Sequence, residues 1–243
     1  MQNIDYISLQ KGGQGLRSGY TCLLSILMPV YNGSEFLPDS VASVINQTFK
    51  EWELIIAING YEPDSQIFQM VYNYINAIGD NRIRVLDYHD CKGKPATLNK
   101  MLGECKYTYV AILDVDDIWL PMKLEVQQPF LLKGYDVIGT KCVYFGEMNN
   151  IVPAIPTGDI VTFNFLQNNP MINSSAIIKK ELAHWDVNCF VEDYDLWLRL
   201  WREKRRFYNC PEVLVKHRIH RESAFNAKGN NNHVAELRLK YVV

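Results

Sequence analysis

No apolar run in this chain is long enough to cross a bilayer. The longest, Leu23 to Val30, has eight residues and is broken by Ser25 and Pro29, against the roughly 20 that a spanning helix needs. A basic segment followed by an apolar one does not open the sequence, so a secretory signal is not expected. The six cysteines, at 22, 91, 105, 142, 189 and 210, are scattered; without a CxxC pair they exclude the common zinc and dithiol motifs and suit a reducing, cytoplasmic compartment. Neither charge prevails: 25 Lys and Arg against 27 Asp and Glu leave -2, with a pI near 6.2. No broad basic field awaits a nucleic-acid backbone, and the main basic run, Arg202, Lys204, Arg205 and Arg206, reads as the charged last turn of a helix. The glycine-rich KGGQGLRSG at 11–19 follows no strand, so it reads as a flexible lead-in rather than a phosphate loop.

Strand-like and helix-like periods alternate through the first half. Leu23 to Val30 predicts a strand, and Phe36 to Gln47, with Leu37, Val41, Val44 and Ile45 on one stripe, predicts a helix. Glu53–Ile58, Arg82–Leu86 and Tyr107–Leu113 continue the strands; 65–78, Pro95–Leu102 and Pro121–Leu132 continue the helices. Such a series implies a mainly parallel sheet covered on both faces. The second half is less regular. Tyr135 to Phe145 reads as extended, with room for a pair of short strands, and Ile172 to Ile178 is another strand candidate. Over 193–203, Tyr194, Trp197, Leu198 and Trp201 fall at helical spacing.

Four segments carry polar chemistry. The string LDVDDIW at 113–119 ends an apolar run in Asp114, Asp116 and Asp117. Ligands of open α/β sheets collect at the carboxyl edge of the strands. A helix cap explains one of these acids and leaves two like charges, which a divalent cation with hard oxygen ligands would relieve. PVYN at 29–32 makes a stiff turn after the first strand, with Tyr31 offering a planar face. Asn59 and Gly60 after the second strand form a turn pair that left-handed backbone alone explains. VEDYDLW at 191–197 opens the aromatic helix with Glu192 and Asp193. A capping role is the simple reading; as a proton acceptor, a carboxylate there is expected to have a low pKa, held down by the helix N-terminus.

Six strings in this order, SILMPVYNGSEFLPDSVASVINQTF, GKPATLNKML, LDVDDIWLPMKLE, NSSAIIKK, EDYDLWLRL and HRIHRES, resemble the large inverting glycosyltransferase family 2. The resemblance covers most of the chain, from about Leu24 to Ser223, and implies the GT-A fold: an α/β, Rossmann-like nucleotide-binding architecture with a mainly parallel central sheet and a less regular acceptor-side half. It implies transfer of a sugar from a nucleotide-diphosphate donor, most naturally a UDP-sugar, with Mn2+ or Mg2+ as cofactor. Pro29, Tyr31 and Asn59 would hold the base and Lys94 would approach the nucleotide. Asn59-Gly60-Tyr61 departs from the acidic pair and Gly-Ser usual in the family, exchanging a negative charge for a carboxamide. Asp116 would reach ribose or metal, Asp117 would coordinate the metal and Asp114 would support the turn. Asp193, beside Glu192, matches the general base. Arg218, with His217 and His220, matches the late basic motif at the diphosphate, either histidine reaching the metal.

The implied organisation is a lead-in over 1–20, one catalytic unit over 21–225, divided near 120 into donor and acceptor halves, and a tail or helix over 226–243. The expected partners are a nucleotide sugar and a glycan, lipid-linked or protein hydroxyl acceptor, with peripheral membrane contact allowed and no nucleic acid. Two rivals stand: a sugar nucleotidyltransferase, whose glycine-rich basic loop would replace PVYNGSEF, and a non-catalytic nucleotide-sugar-binding module.

Overall fold

The computed structural model describes residues 23–221 and 230–242; the lead-in, Cys22 and Ser223 lie outside them. The chain runs β1 (Leu24–Val30), α1 (Leu37–Ile45), β2 (Trp52–Asn59), α2 (Gln66–Ile78), β3 (Ile83–Tyr88), α3 (Lys94–Leu102) and β4 (Tyr109–Ile112). It continues with β5 (Ile118–Trp119), α4 (Lys123–Leu132), β6 (Val137–Gly146), β7 (Gly158–Asp159), β8 (Ile177–Lys179), α5 (Glu192–Arg202), β9 (Phe207–Ile219) and α6 (Asn230–Lys240). These elements follow local chemistry. Ser65 caps α2 by accepting from the Phe68 amide at 3.3 Å, and Gly79 ends it with φ 71. Glu192, Asp193 and Asp195 crowd the first turn of α5 while Arg199 and Arg202 stand in its last, matching the helix dipole at both ends.

The nine strands among the described residues join one sheet, ordered β3-β2-β1-β4-β8-β6-β9-β5, with β7 attached to β9. The side built from the first half, β3 to β4, is wholly parallel, as βαβ crossovers require. Beyond β4 the pairing is mixed: β8 runs antiparallel to β4 and β6, and β9 is parallel to β6 but antiparallel to β5.

Successive strand residues serve opposite faces. Leu24, Ile26, Met28 and Val30 pack with Val41, Val71, Ile75 and Leu124 of α1, α2 and α4. Leu27, Ile55 and Ile112 pack instead with Leu98, Trp197, Leu198 and Leu237 of α3, α5 and α6. The sheet is therefore buried on both faces, which accounts for the largely apolar sequences of β1 and β2.

Two local expectations give way. The extended stretch expected over 135–145 is a single strand, Val137–Gly146, rather than a pair; at Gly139 it lies so close to β9 that a Cβ would stand 2.2 Å from Asn209 Oδ1. The α4 helix begins at Lys123, two residues after Pro121.

Candidate active site

The carboxyl ends of β1, β2 and β4 lie side by side, since β1 pairs in parallel with both neighbours. That alignment brings together PVYN, the Asn59-Gly60 turn and the Asp cluster. Tyr31 is 55% exposed, and its ring centroid stands 5.3 Å from that of Tyr61, whose hydroxyl donates to the Tyr31 carbonyl. Gly60 takes φ 78, the left-handed turn expected of it, and a side chain there would meet the Tyr31 ring at 3.1 Å. Asn59 is buried at the end of β2 opposite Tyr88, and Pro29 is buried in β1 opposite Ala57.

Past β4 the chain turns on itself, the Asp117 amide donating to the Asp114 carbonyl at 3.1 Å. Ser40 of α1 supports the turn, its Oγ reaching the carbonyl oxygens of Val115 and Asp117. The next residues, Ile118 and Trp119, pair with Lys216 and Val215 of β9. This short ladder delivers the end of β9 to the acids. Asp117, fully buried, accepts from the Arg218 amide at 2.8 Å through one oxygen and meets His217 Nδ1 at 2.9 Å through the other. Burial alone would lower the His217 pKa, but the Asp117 carboxylate raises it to about 9, so the imidazole is cationic at neutral pH. Asp116 Oδ2 lies 3.0 Å from His220 Nε2. Burial and repulsion from Asp117 and Asp114 hold the Asp116 pKa above its ordinary value. The Arg218 guanidinium bonds the Asp116 carbonyl at 2.9 Å and lies between the Phe36 and Phe145 rings, 4.2 and 4.3 Å from their centroids.

Asp114 connects this cluster to the opening of α5. Its Oδ1 is 2.6 Å from Lys94 Nζ, and its Oδ2 accepts from Asn173 Nδ2 at 3.0 Å. Burial would raise the Asp114 pKa, yet Lys94 and Asn173 outweigh burial and hold it low. Lys94 Nζ also stands 3.4 Å from Glu192 Oε1. Burial works against the Lys94 charge, but Asp114 and Glu192 more than compensate, so its pKa is raised. Gly93, at φ 85, makes the turn that starts α3 on Lys94.

Asp193 departs from the low pKa expected at a helix start. Burial and the neighbouring Glu192 charge push it up to about 6, against the pull of Lys94 and of the Tyr194 amide that one of its oxygens accepts at 2.7 Å. The helix dipole thus loses to desolvation and like charge.

Two neighbours of these groups were legible only as parts of longer strings. Asn173, in NSSAIIKK, holds Asp114 while its Oδ1 is buried without a partner among the described residues; Tyr61 pairs with Tyr31. Among the described residues, no group of three or more His, Cys, Asp or Glu could by itself hold a metal ion. A catalytic Mn2+ or Mg2+ does not demand one, because one or two protein ligands suffice when phosphate oxygens and water complete the shell. Asp116 and His220, with side chains 21% and 24% exposed, offer an oxygen and a nitrogen of suitable chemistry.

The sequence profile of glycosyl transferase family 2 matches residues 25–184. The O-antigen biosynthesis glycosyltransferase WbnJ of Escherichia coli is 29% identical over 212 residues, 83% of this chain and 81% of its own length. The UDP-Glc:alpha-D-GlcNAc-diphosphoundecaprenol beta-1,3-glucosyltransferase WfgD, also of Escherichia coli, is 28% identical over 218 residues, 85% of this chain and 81% of its own. Among solved structures, the mannosyltransferase PcManGT from Pyrobaculum calidifontis in complex with GDP-Man and Mn2+ superposes with a TM-score of 0.65 at 13% identity. That match covers 84% of this chain and 59% of the other, so this chain spans less than two thirds of that protein's length. The shared fold is GT-A.

Proposed function

The chain belongs to glycosyl transferase family 2 and is a glycosyltransferase, and on that premise we propose that it moves a sugar from a UDP-sugar to a hydroxyl acceptor with inversion at the anomeric carbon. The observation that carries this reading is the placement of Lys94, whose Nζ joins Asp114 of the donor-side cluster to Glu192, next to Asp193. Donor-side acids and a candidate base are thereby held within one ion-paired group. Asp193, raised to about 6, is ionised at neutral pH and still basic enough to take the acceptor's proton, the compromise a general base needs. The acceptor oxygen attacks the anomeric carbon from the face opposite the leaving nucleoside diphosphate, hence inversion. Glu192 keeps Lys94 in place and raises the basicity of Asp193.

On the donor side, Tyr31, Pro29 and Asn59 frame the base, Asn59 by a carboxamide that can both donate and accept. The cation is assigned to Asp116 and His220, and when bound it neutralises the charge developing on the diphosphate. Asp117, expected to coordinate that cation, is better suited as a buried anchor, because both of its oxygens already serve His217 and Arg218. Arg218 is committed likewise to Asp116 and two rings, so its part at the diphosphate is to shape the β9 end that presents His220. Residues 21–225 are taken as one catalytic unit. The UDP-Glc and the diphosphoundecaprenol-linked acceptor in the name of WfgD favour a UDP-sugar donor and a lipid-linked glycan acceptor reached at the cytoplasmic side of a membrane. No helix among the described residues is long and apolar enough to cross one.

A thermal-shift screen of nucleotide sugars with Mn2+, followed by product analysis, tests the proposal. UDP release with sugar transfer or hydrolysis supports it. Pyrophosphate release would support a nucleotidyltransferase, and Mn2+-dependent binding without turnover a binding module.

A further inference from the structure

The last described helix bears on the segment that carries Asp193 at several points. Lys240 Nζ lies 3.0 Å from Asp195 Oδ1 and 3.4 Å from Asp186 Oδ2, so one ammonium group ties together the two ends of the stretch from Asp186 to Asp195. Tyr241, the residue after α6, donates its hydroxyl to the same Asp195 oxygen at 2.8 Å. Arg238 Nε donates to the Tyr194 hydroxyl at 3.2 Å, and that hydroxyl in turn donates to the Phe165 carbonyl. The His233 ring stacks on Phe190 with centroids 4.4 Å apart, and Leu237 is buried in the core that holds Tyr194, Trp197 and Leu198.

Asp195 is itself 4% exposed, and the side-chain bonds to its carboxylate come from Lys240 and Tyr241. A buried carboxylate needs such partners. The opening of α5 lacks a side-chain cap of its own, since Val191 occupies that position. Three acids in one turn also repel one another, and Lys240 offsets the charge of Asp195, as Lys94 offsets that of Glu192. The first turn of α5 is thus held from both sides, by α3 through Lys94 and by α6 through Lys240 and Tyr241.

We propose that Lys240 and Tyr241 are positioning residues for sugar transfer: by fixing Asp195 and Asp186 they set where the neighbouring Asp193 carboxylate meets the acceptor hydroxyl. This rests on Asp193 acting as the base. Small displacements of a reacting group carry large rate penalties, so the effect falls on turnover rather than on donor binding.

The test compares the full chain with its Tyr241→Phe, Lys240→Met and doubly substituted variants, with Lys240→Arg as the conservative control. Three quantities are read: hydrogen exchange of the Asp195, Leu196 and Trp197 amides, UDP affinity with Mn2+ by calorimetry, and UDP release from UDP-glucose with Mn2+. In the double variant, exchange at those amides should rise about tenfold while β1 to β4 keep their protection. UDP release should fall roughly tenfold with UDP affinity changed less than about twofold, and Lys240→Arg should retain most of the turnover. Unchanged exchange overturns the proposal, as does loss of UDP affinity in parallel with turnover, which would mark a general loosening. Should the unsubstituted chain release no UDP from any UDP-sugar, the proposed UDP-sugar donor itself fails, and the exchange data alone still decide whether α6 fixes α5.

Discussion

His217 Nδ1 lies 2.9 Å from Oδ2 of Asp117, although 100 residues separate the two in sequence. The antiparallel pairing of β5 with β9 makes the meeting, by setting Ile118 opposite Lys216. Asp117 is fully buried and its other oxygen takes the Arg218 amide, so this pair braces the Asp cluster from below.

Asp117 and Asp116 are therefore expected to fail differently. Asp117→Ala leaves a partly exposed imidazolium and a backbone amide without their carboxylate partner and should cost about 2 kcal/mol or more. Asp116→Ala removes a carboxylate that its neighbours repel, and should change stability by less than about 1 kcal/mol while abolishing the Mn2+-dependent part of UDP binding. Urea titrations beside UDP calorimetry separate the two; equal losses of stability would refute the division of labour.

Asp193 carries a pH signature of two parts. Its pKa of about 6 stands above the ordinary 3.8, so the folded chain holds this proton more tightly than the unfolded one. The stability it contributes is present below about pH 4 and is lost as pH rises through about 6. Asp193→Asn should accordingly be more stable than the parent chain at pH 7.5, with the advantage vanishing at pH 4, and it should be inactive. Melting curves at the two pH values test the first point; a pH–rate profile of the parent, falling on the acid side near pH 6, tests the second.

Lys94→Met removes the cation that opposes the rise of the Asp193 pKa. The acid limb of the rate profile should move to higher pH, and Lys94→Arg should move it less. A profile that merely drops in height would mean that Lys94 serves the donor alone.

Lys123 is fully buried and, among the described residues, has no carboxylate at its ammonium group: Nζ meets Gln127 Oε1 at 2.8 Å and the Trp119 ring centroid at 3.9 Å. Burial drives its pKa well below the ordinary 10.5. For such a base the stability contribution is complete above the unfolded pKa and is lost as pH falls through the folded one. Lys123→Met should raise the urea midpoint at pH 7, with a smaller gain at pH 10.5. A lowered midpoint at pH 7 would show that the Gln127 and Trp119 contacts outweigh the cost of burial.

The parallel half of the fold is legible because its signals are local. The expected Leu23 to Val30 becomes Leu24–Val30, and 193–203 becomes Glu192–Arg202, each fixed by periodicity and end residues. β9 is not legible beyond its HRI end, because Pro211 interrupts the strand; the register shifts between Thr140 and Cys142 of β6, where Cys210 gives way to Val213, accommodate it. β5, with two residues, is too short to carry a period. Yet β5 and β9 decide which acid is buried, and so the different surroundings of Asp116 and Asp117 had to await the long-range pairing. The raised pKa of Asp193 was equally hidden, since it follows from burial and Glu192 in three dimensions and opposes the helix-end effect that sequence suggests.

The most direct test of sugar transfer with Asp193 as base is UDP release from UDP-glucose with Mn2+, followed by proton NMR that also reads the anomer formed first. The account predicts an inverted sugar product and UDP, lost on chelation, in Asp116→Ala and in Asp193→Asn. Retained anomeric configuration, or undiminished release from Asp193→Asn, would contradict it.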